Sequence, residues 1–162
     1  MKYLGGLFVG IILFAIACTE EVVDPILPIE QFFIDSELID IWLTENAVTD
    51  TIIEPNSQIR YTINVEGPAT GISPRFNEGD SIRVNYEGRL LDTGAIFDSA
   101  DSADLALDNT IPGWQIMLPL MSEGDEYTIY LQSIYGYGTS GNGSTIPENA
   151  NIIFDVELIR VK

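Results

Sequence analysis

The chain has 162 residues, 46% of them hydrophobic, which fills one ordinary core plus a targeting segment and leaves too little for two full domains. Seven basic against 25 acidic residues give a formal net charge of −18, which repels nucleic acid and keeps the surface solvated. There is no histidine and a single cysteine, so serine–histidine and cysteine–histidine catalysis, imidazole metal sites and an internal disulfide are excluded.

The first element is a targeting segment. "MKYLGGLFVGIILFAIACTEE" carries Lys2 and then an uncharged apolar stretch of about 14 residues ending in small side chains, which fits a secretory h-region and is short for a membrane span. Ala15-Ile16-Ala17-Cys18 resembles a bacterial lipoprotein signal, with Ala15 standing where such signals usually carry Leu or another larger aliphatic residue. The resemblance implies a signal peptide over 1–17, cleavage that exposes Cys18 for lipidation, and acyl chains that hold the protein on a membrane of the cell envelope, with the outer membrane expected. A plain cleaved or retained signal is the alternative. Loss of Lys2 with this segment leaves 6 basic against 25 acidic residues, a charge of −19. Glu20 and Glu21 read equally well as a sorting signal or as two more acids of an acidic chain.

Residues 18–29 hold two prolines and no helical period, as expected of an extended tether. Over 30–56 the sequence reads as a helix and a connector. "EQFFIDSELIDIWLTEN" places Ile34, Leu38, Ile41 and Trp42 on one stripe between acids, so an amphipathic helix is expected to pack through that stripe on the domain, with packing on a partner as the alternative.

From residue 57 to 162 the period changes to two. "SQIRYTINVEG", "DSIRVNYEGRLL", "DEYTIYLQSI" and "NIIFDVELIRV" read as strands, and "NEGD" and "SEGD" as turns before two of them. The helix-like interval in this region is "PGWQIMLPLM", stopped near Leu118 by Pro119. An antiparallel sheet whose apolar face is covered by that short helix follows, an α+β domain.

The order of motifs resembles the FKBP-type peptidyl-prolyl cis-trans isomerases. Five segments carry the resemblance in sequence: "VNYEGRLLDTGAIFDS", "TIPGW", "MSEGDEYTIYL", "YGYG" and "IIFDVELIRV". The family implies a twisted antiparallel half-barrel wrapped around one short helix, here with an added N-terminal amphipathic helix. It also implies that Trp114 floors a pocket for a proline ring, walled by Phe97, Ile111, Ile146 and Phe154 together with Tyr86. Asp98 would sit beside Tyr86, Tyr137 would offer its hydroxyl to a substrate carbonyl, and the Ile111 N–H would offer a second hydrogen bond. The activity implied is X-Pro isomerisation on unfolded or folding polypeptides, with no cofactor; the oligomeric state is left open.

Two positions depart from the family pattern. The interval "DSADSADLALDNTIPG" reads as a shortened loop, with Ala103 where an aromatic wall residue is common, which opens one side of the pocket. In the loop above it, Asn142 and Gly143 stand where His-Pro or Ala-like choices are more common. An FKBP-like module that binds proline-containing chains or an envelope partner without useful turnover is therefore the rival reading. Asp98, Asp101, Asp104 and Asp108 also suggest a calcium loop, although their spacing of three and four residues misses the alternate-residue EF-hand pattern, and its central Gly is lacking. Asn142-Gly143-Ser144 matches a glycosylation acceptor, a match that a bacterial signal makes accidental.

Overall fold

The structure is a computed structural model describing residues 28–68, 72–73 and 81–162. The expected signal peptide, Cys18, Glu20, Glu21, most of the tether and the turn read at "NEGD" lie outside these residues. Among the described residues, no helix is long and apolar enough to cross a membrane.

Helix α1 (Pro28–Glu45) opens on Pro28, whose fixed φ suits a first helical turn. Its far end is closed by Val48 N–H donating to Leu43 O at 2.9 Å and Ala47 N–H to Thr44 O at 3.2 Å. Ala47 takes φ 55° to make that cap, a position where glycine is usual.

The strands are β1 (Ile52–Ile53), β2 (Arg60–Val65), β3 (Ser81–Leu90), β4 (Ile96–Ala106), β5 (Glu126–Leu131) and β6 (Ile152–Val161). They form one antiparallel sheet in the order β1-β2-β5-β6-β3-β4. The "SEGD" turn forms as expected: Asp125 N–H donates to Ser122 O at 2.9 Å, and its carboxylate accepts Ser122 N–H at 2.7 Å. Helix α2 (Pro112–Met117) runs into a 3-10 turn over Leu118–Leu120, so Pro119 ends the regular helix where its missing N–H requires.

Alternation in the strands divides the core between two faces. Ile82, Val84, Ile129, Leu131, Ile152, Phe154 and Leu158 pack with Trp114, Met117 and Leu118 on the α2 face. Tyr130 and Ile153, one residue out of phase, point the other way and meet Ile39, Leu43 and Leu91 under α1. β5 is consequently buried on both faces, which is why "YTIYL" reads as a nearly continuous apolar run. Each fully buried Ile or Leu contributes about 1.5–3 kcal/mol by leaving water.

Two expectations need correction. Helix α1 does pack on the domain, but through Asp35, Ile39 and Leu43 with Trp42 half-buried, while Ile34, Leu38 and Ile41 are 41%, 48% and 47% exposed. The buried face is turned by one residue because Asp35 is satisfied by the body of the domain, and Arg60 grips Asp40 with bonds of 2.9 and 2.6 Å. The interval read as a shortened loop after Phe97 is mostly strand, β4, paired along β3. Ala103 lies opposite Val84 and packs against the main core.

Candidate functional site

The site is built around the start of α2. Pro112 at the head of the helix forces Ile111 into an extended conformation, φ −63° and ψ 153°, so the chain turns sharply into the helix. A Cβ at Gly113 would lie 2.5 Å from Leu131 Cδ2, so only glycine lets α2 settle this close to β5. Trp114 is thereby driven into the sheet at 3% exposure. Its ring meets Tyr86 and Phe154 edge-on, with centroids 5.2 Å away in each case. Its Nε1–H is buried with no acceptor among the described residues.

β3, β4 and β6 supply the next layer. Gly88 is paired with Asp98 on one side and Phe154 on the other. A Cβ there would lie 2.6 Å from Phe154 Cε1 and 2.7 Å from Phe97, so the absence of a side chain lets these rings close to 5.5 Å, edge to face. The Phe97 ring in turn meets Tyr137 at 6.1 Å and 86°. Five rings therefore run without a break from Tyr86 through Trp114, Phe154 and Phe97 to Tyr137. Such edge-to-face pairs each add about 0.5–1.5 kcal/mol beyond burial and fix ring orientation.

Above them, Asn142 and Ile146 close a tight loop through mutual backbone bonds of 2.8 and 3.2 Å. A cleft of ≈ 370 Å³ opens between this loop and the rings, lined by Phe97, Asp98, Tyr137 and residues 142–146. Ile146, 3% exposed, lends it an apolar wall, while Asn142, Gly143 and Ser144 form an exposed rim. A cleft of ≈ 400 Å³ beside Tyr86 is bordered by Glu87, Asp101, Glu126, Asp155 and Glu157, a lining that suits water and cations better than an apolar ring.

The polar groups are few. The Tyr86 hydroxyl donates to Asp98 Oδ2 at 2.9 Å. Burial, and after it the bond to Asp98, pushes the Tyr86 phenol up to about 12. Burial and then the charge of Asp98 also raise Tyr137 above the ordinary phenol value. Both phenols thus hold their protons at neutral pH and act as donors. Among the described residues the Tyr137 hydroxyl and the Ile111 N–H have no hydrogen-bond partner.

The structure brings Tyr86, Phe97, Asp98, Trp114, Tyr137 and Phe154 into one connected group. Ile146 lines the cleft with Phe97 and Tyr137, and Ile111 packs half-buried against the same core. The four acids considered for calcium are instead spread along β4 and the turn after it. Asp98 serves Tyr86, and Asp104 binds Arg83 and Lys162, which hold its carboxyl well below the usual range. Among the described residues no three acids come together in a metal-binding group. Sequence reasoning missed Gly88 as a site residue, although it is the glycine of "VNYEG".

The family model for FKBP-type peptidyl-prolyl cis-trans isomerase matches residues 73–159. The chain is 36% identical over 124 residues to a probable FKBP-type peptidyl-prolyl cis-trans isomerase FkpA of Neisseria meningitidis serogroup B, covering 74% of this chain and 44% of that protein. It is 32% identical over 127 residues to the outer membrane protein MIP of Legionella longbeachae, covering 76% and 52%. The chain spans about half the length of these curated relatives. The crystal structure of a peptidyl-prolyl cis-trans isomerase from Pseudomonas syringae superposes with a TM-score of 0.66 at 26% identity, covering 82% of this chain and 93% of that one. The matched family segment takes in more than half of the chain and every ring from Tyr86 to Phe154, and on that ground the chain belongs to the FKBP-type peptidyl-prolyl cis-trans isomerase family.

Proposed function

We propose that this protein is a peptidyl-prolyl cis-trans isomerase of the cell envelope, anchored by lipid at Cys18 and acting on proline-containing chains that are folding or unfolded. The observation that carries the reading is the unbroken run of rings ending on a half-buried Tyr137 whose hydroxyl has no partner among the described residues. The anchor rests on the Ala15-Ile16-Ala17-Cys18 motif, and the naming of one relative as an outer membrane protein supports the envelope location.

Rotation about an X-Pro bond breaks amide resonance against a barrier of roughly 20 kcal/mol, so unassisted exchange takes tens of seconds or more. The twisted amide is less dipolar than the planar one. Apolar ring edges therefore disfavour the planar ground state relative to the twisted one, with the proline ring against Phe97 and Ile146, Phe154 and Trp114 beneath, and Ile111 beside. The Tyr137 hydroxyl and the Ile111 N–H hold the flanking carbonyls in the rotated arrangement, and Asp98 fixes Tyr86 at the back. No proton is transferred and no covalent bond is made, so a chain without histidine is adequate. A stabilisation of about 4–6 kcal/mol speeds exchange by about three to four powers of ten.

Tyr137→Phe removes one hydroxyl and almost no volume. The folded variant is expected to lose about five- to thirtyfold in kcat/KM on peptides with a large apolar residue before proline. An unchanged kcat/KM would remove Tyr137 from the mechanism.

A further inference from the structure

Asp35 is a carboxylate on α1 at 0% exposure, far in sequence from the aromatic group. Its Oδ2 accepts the Ser133 N–H at 3.0 Å and the Ser133 hydroxyl at 2.5 Å, while Oδ1 accepts Gln31 Nε2 at 2.7 Å. Ser133 opens the 3-10 turn Ser133–Tyr135, and the residue before it, Gln132, gives that turn no side-chain cap. The cap comes instead from another element: Asp35 satisfies the orphan N–H that Asp or Ser normally satisfies from within the same turn. Phe32, one helical turn before Ser36 on α1, meets Tyr135 edge-on at 6.4 Å, and Gln132 Nε2 donates to Ser36 Oγ at 3.2 Å.

This turn leads directly to Tyr137. Gly136 is pressed against Ile152, where a Cβ would lie 2.9 Å from Cδ1, so the short stretch between the turn and the phenol has little slack. We infer that Asp35 is a positioning residue for Tyr137: α1 caps the 133–135 turn from outside and thereby fixes where the phenol hydroxyl stands over the cleft. This deepens the isomerase reading and rests on it. Misplacing a reacting group by about 1 Å costs up to about a hundredfold, so a cap two to four residues away has leverage.

The test uses the full chain and four variants, Asp35→Asn, Ser133→Ala, Tyr137→Phe and the double variant Asp35→Asn/Tyr137→Phe, each first shown to unfold in one transition. Both Ser133 bonds fall on Oδ2, so asparagine replaces that charged acceptor by a neutral amide oxygen and sets an amide donor against Gln31 in place of Oδ1, which weakens the cap with little change in volume. Asp35→Asn is expected to lower kcat/KM about three- to tenfold with the Kd for a proline peptide within about twofold of wild type, because the rings that hold the proline stand on other elements. Ser133→Ala, which keeps the backbone N–H bond, is expected to lose less. The Tyr137 ring carbons should shift in NMR spectra of Asp35→Asn. The double variant should be no slower than Tyr137→Phe to within about twofold. Independent, multiplying losses, or an unshifted Tyr137 ring, would reduce Asp35 to a structural residue and overturn the inference. If Tyr137→Phe alone leaves kcat/KM unchanged, the reading of Tyr137 itself fails and the positioning role fails with it.

Discussion

The Tyr86 hydroxyl donates to Asp98 Oδ2 at 2.9 Å across the β3–β4 pair, joining a half-buried phenol to an exposed carboxylate at the edge of the sheet. Burial contributes most to the raised Tyr86 value and Asp98 adds to it. Asp98→Ala should therefore bring the phenol down from about 12 while leaving it above 10, as read from the Tyr86 ring carbons in a pH titration. Because Asp98 is exposed, the stability cost should be no more than about 1 kcal/mol, smaller than a buried partner would give. A Tyr86 value unmoved by the substitution would show that the bond does not form in solution.

Gly88 is where two phenylalanines meet. A Cβ placed there falls 2.6 Å from Phe154 and 2.7 Å from Phe97, on ring atoms held from both sides by other rings. Gly88→Ala should cost about 1–3 kcal/mol by overpacking, seen as a lower urea midpoint at unchanged slope, and should weaken proline-peptide binding. Wild-type stability and binding in this variant would mean that the two rings stand further apart than 5.5 Å in solution.

Trp114 tests the same region by removal. Trp114→Leu leaves a void between Tyr86 and Phe154, and a loss of about 2–4 kcal/mol is expected by equilibrium unfolding. Proline-peptide affinity should fall with it in the fraction that remains folded.

The sign of the pH dependence follows from the phenols. Tyr86 and Tyr127 are both raised from 10 to about 12 in the folded chain, chiefly by burial. The folded state then holds protons that the unfolded state has lost, so this contribution is fully present below pH 10 and is lost as pH rises through about 12. Unfolding free energy should fall with pH over that window, and Tyr127→Phe should flatten part of the slope. Since the chain has no histidine and the site's phenols stay protonated, kcat/KM should be level from about pH 6 to 9. A step near pH 7 would point to a titrating group that this mechanism lacks.

The strands and α2 are legible because their residues satisfy local rules that tertiary contacts then reinforce: alternation in β3 and β6, the nearly continuous apolar run of β5, and Pro119 at the end of α2. The ring group is legible only through the order of motifs, since alternation alone cannot tell a buried aromatic from one beside a cleft. The face of α1 is not legible. Counting apolar residues favours Ile34, Leu38 and Ile41, whereas the chain buries Asp35, whose partner Ser133 lies 98 residues away. β4 is hidden for a related reason. "FDSADSADLA" has the composition of a loop, and it is a strand because β3 supplies its ladder while its acids face solvent along an outer edge. Ser102 kinks it at φ 55°, its N–H held by Asn85 at 2.7 Å.

The most direct measurement is two-dimensional exchange NMR on a short peptide with a large apolar residue before proline, with the full chain added at about one part in a hundred. Cis and trans signals of the peptide should exchange at that catalytic ratio about ten- to a hundredfold faster than unassisted, since about one peptide in a hundred is bound at a time, and less so with Tyr137→Phe. Peptide signals that shift only near stoichiometric protein, with the exchange rate unaltered, would contradict the isomerase reading and leave a module that binds proline-containing chains.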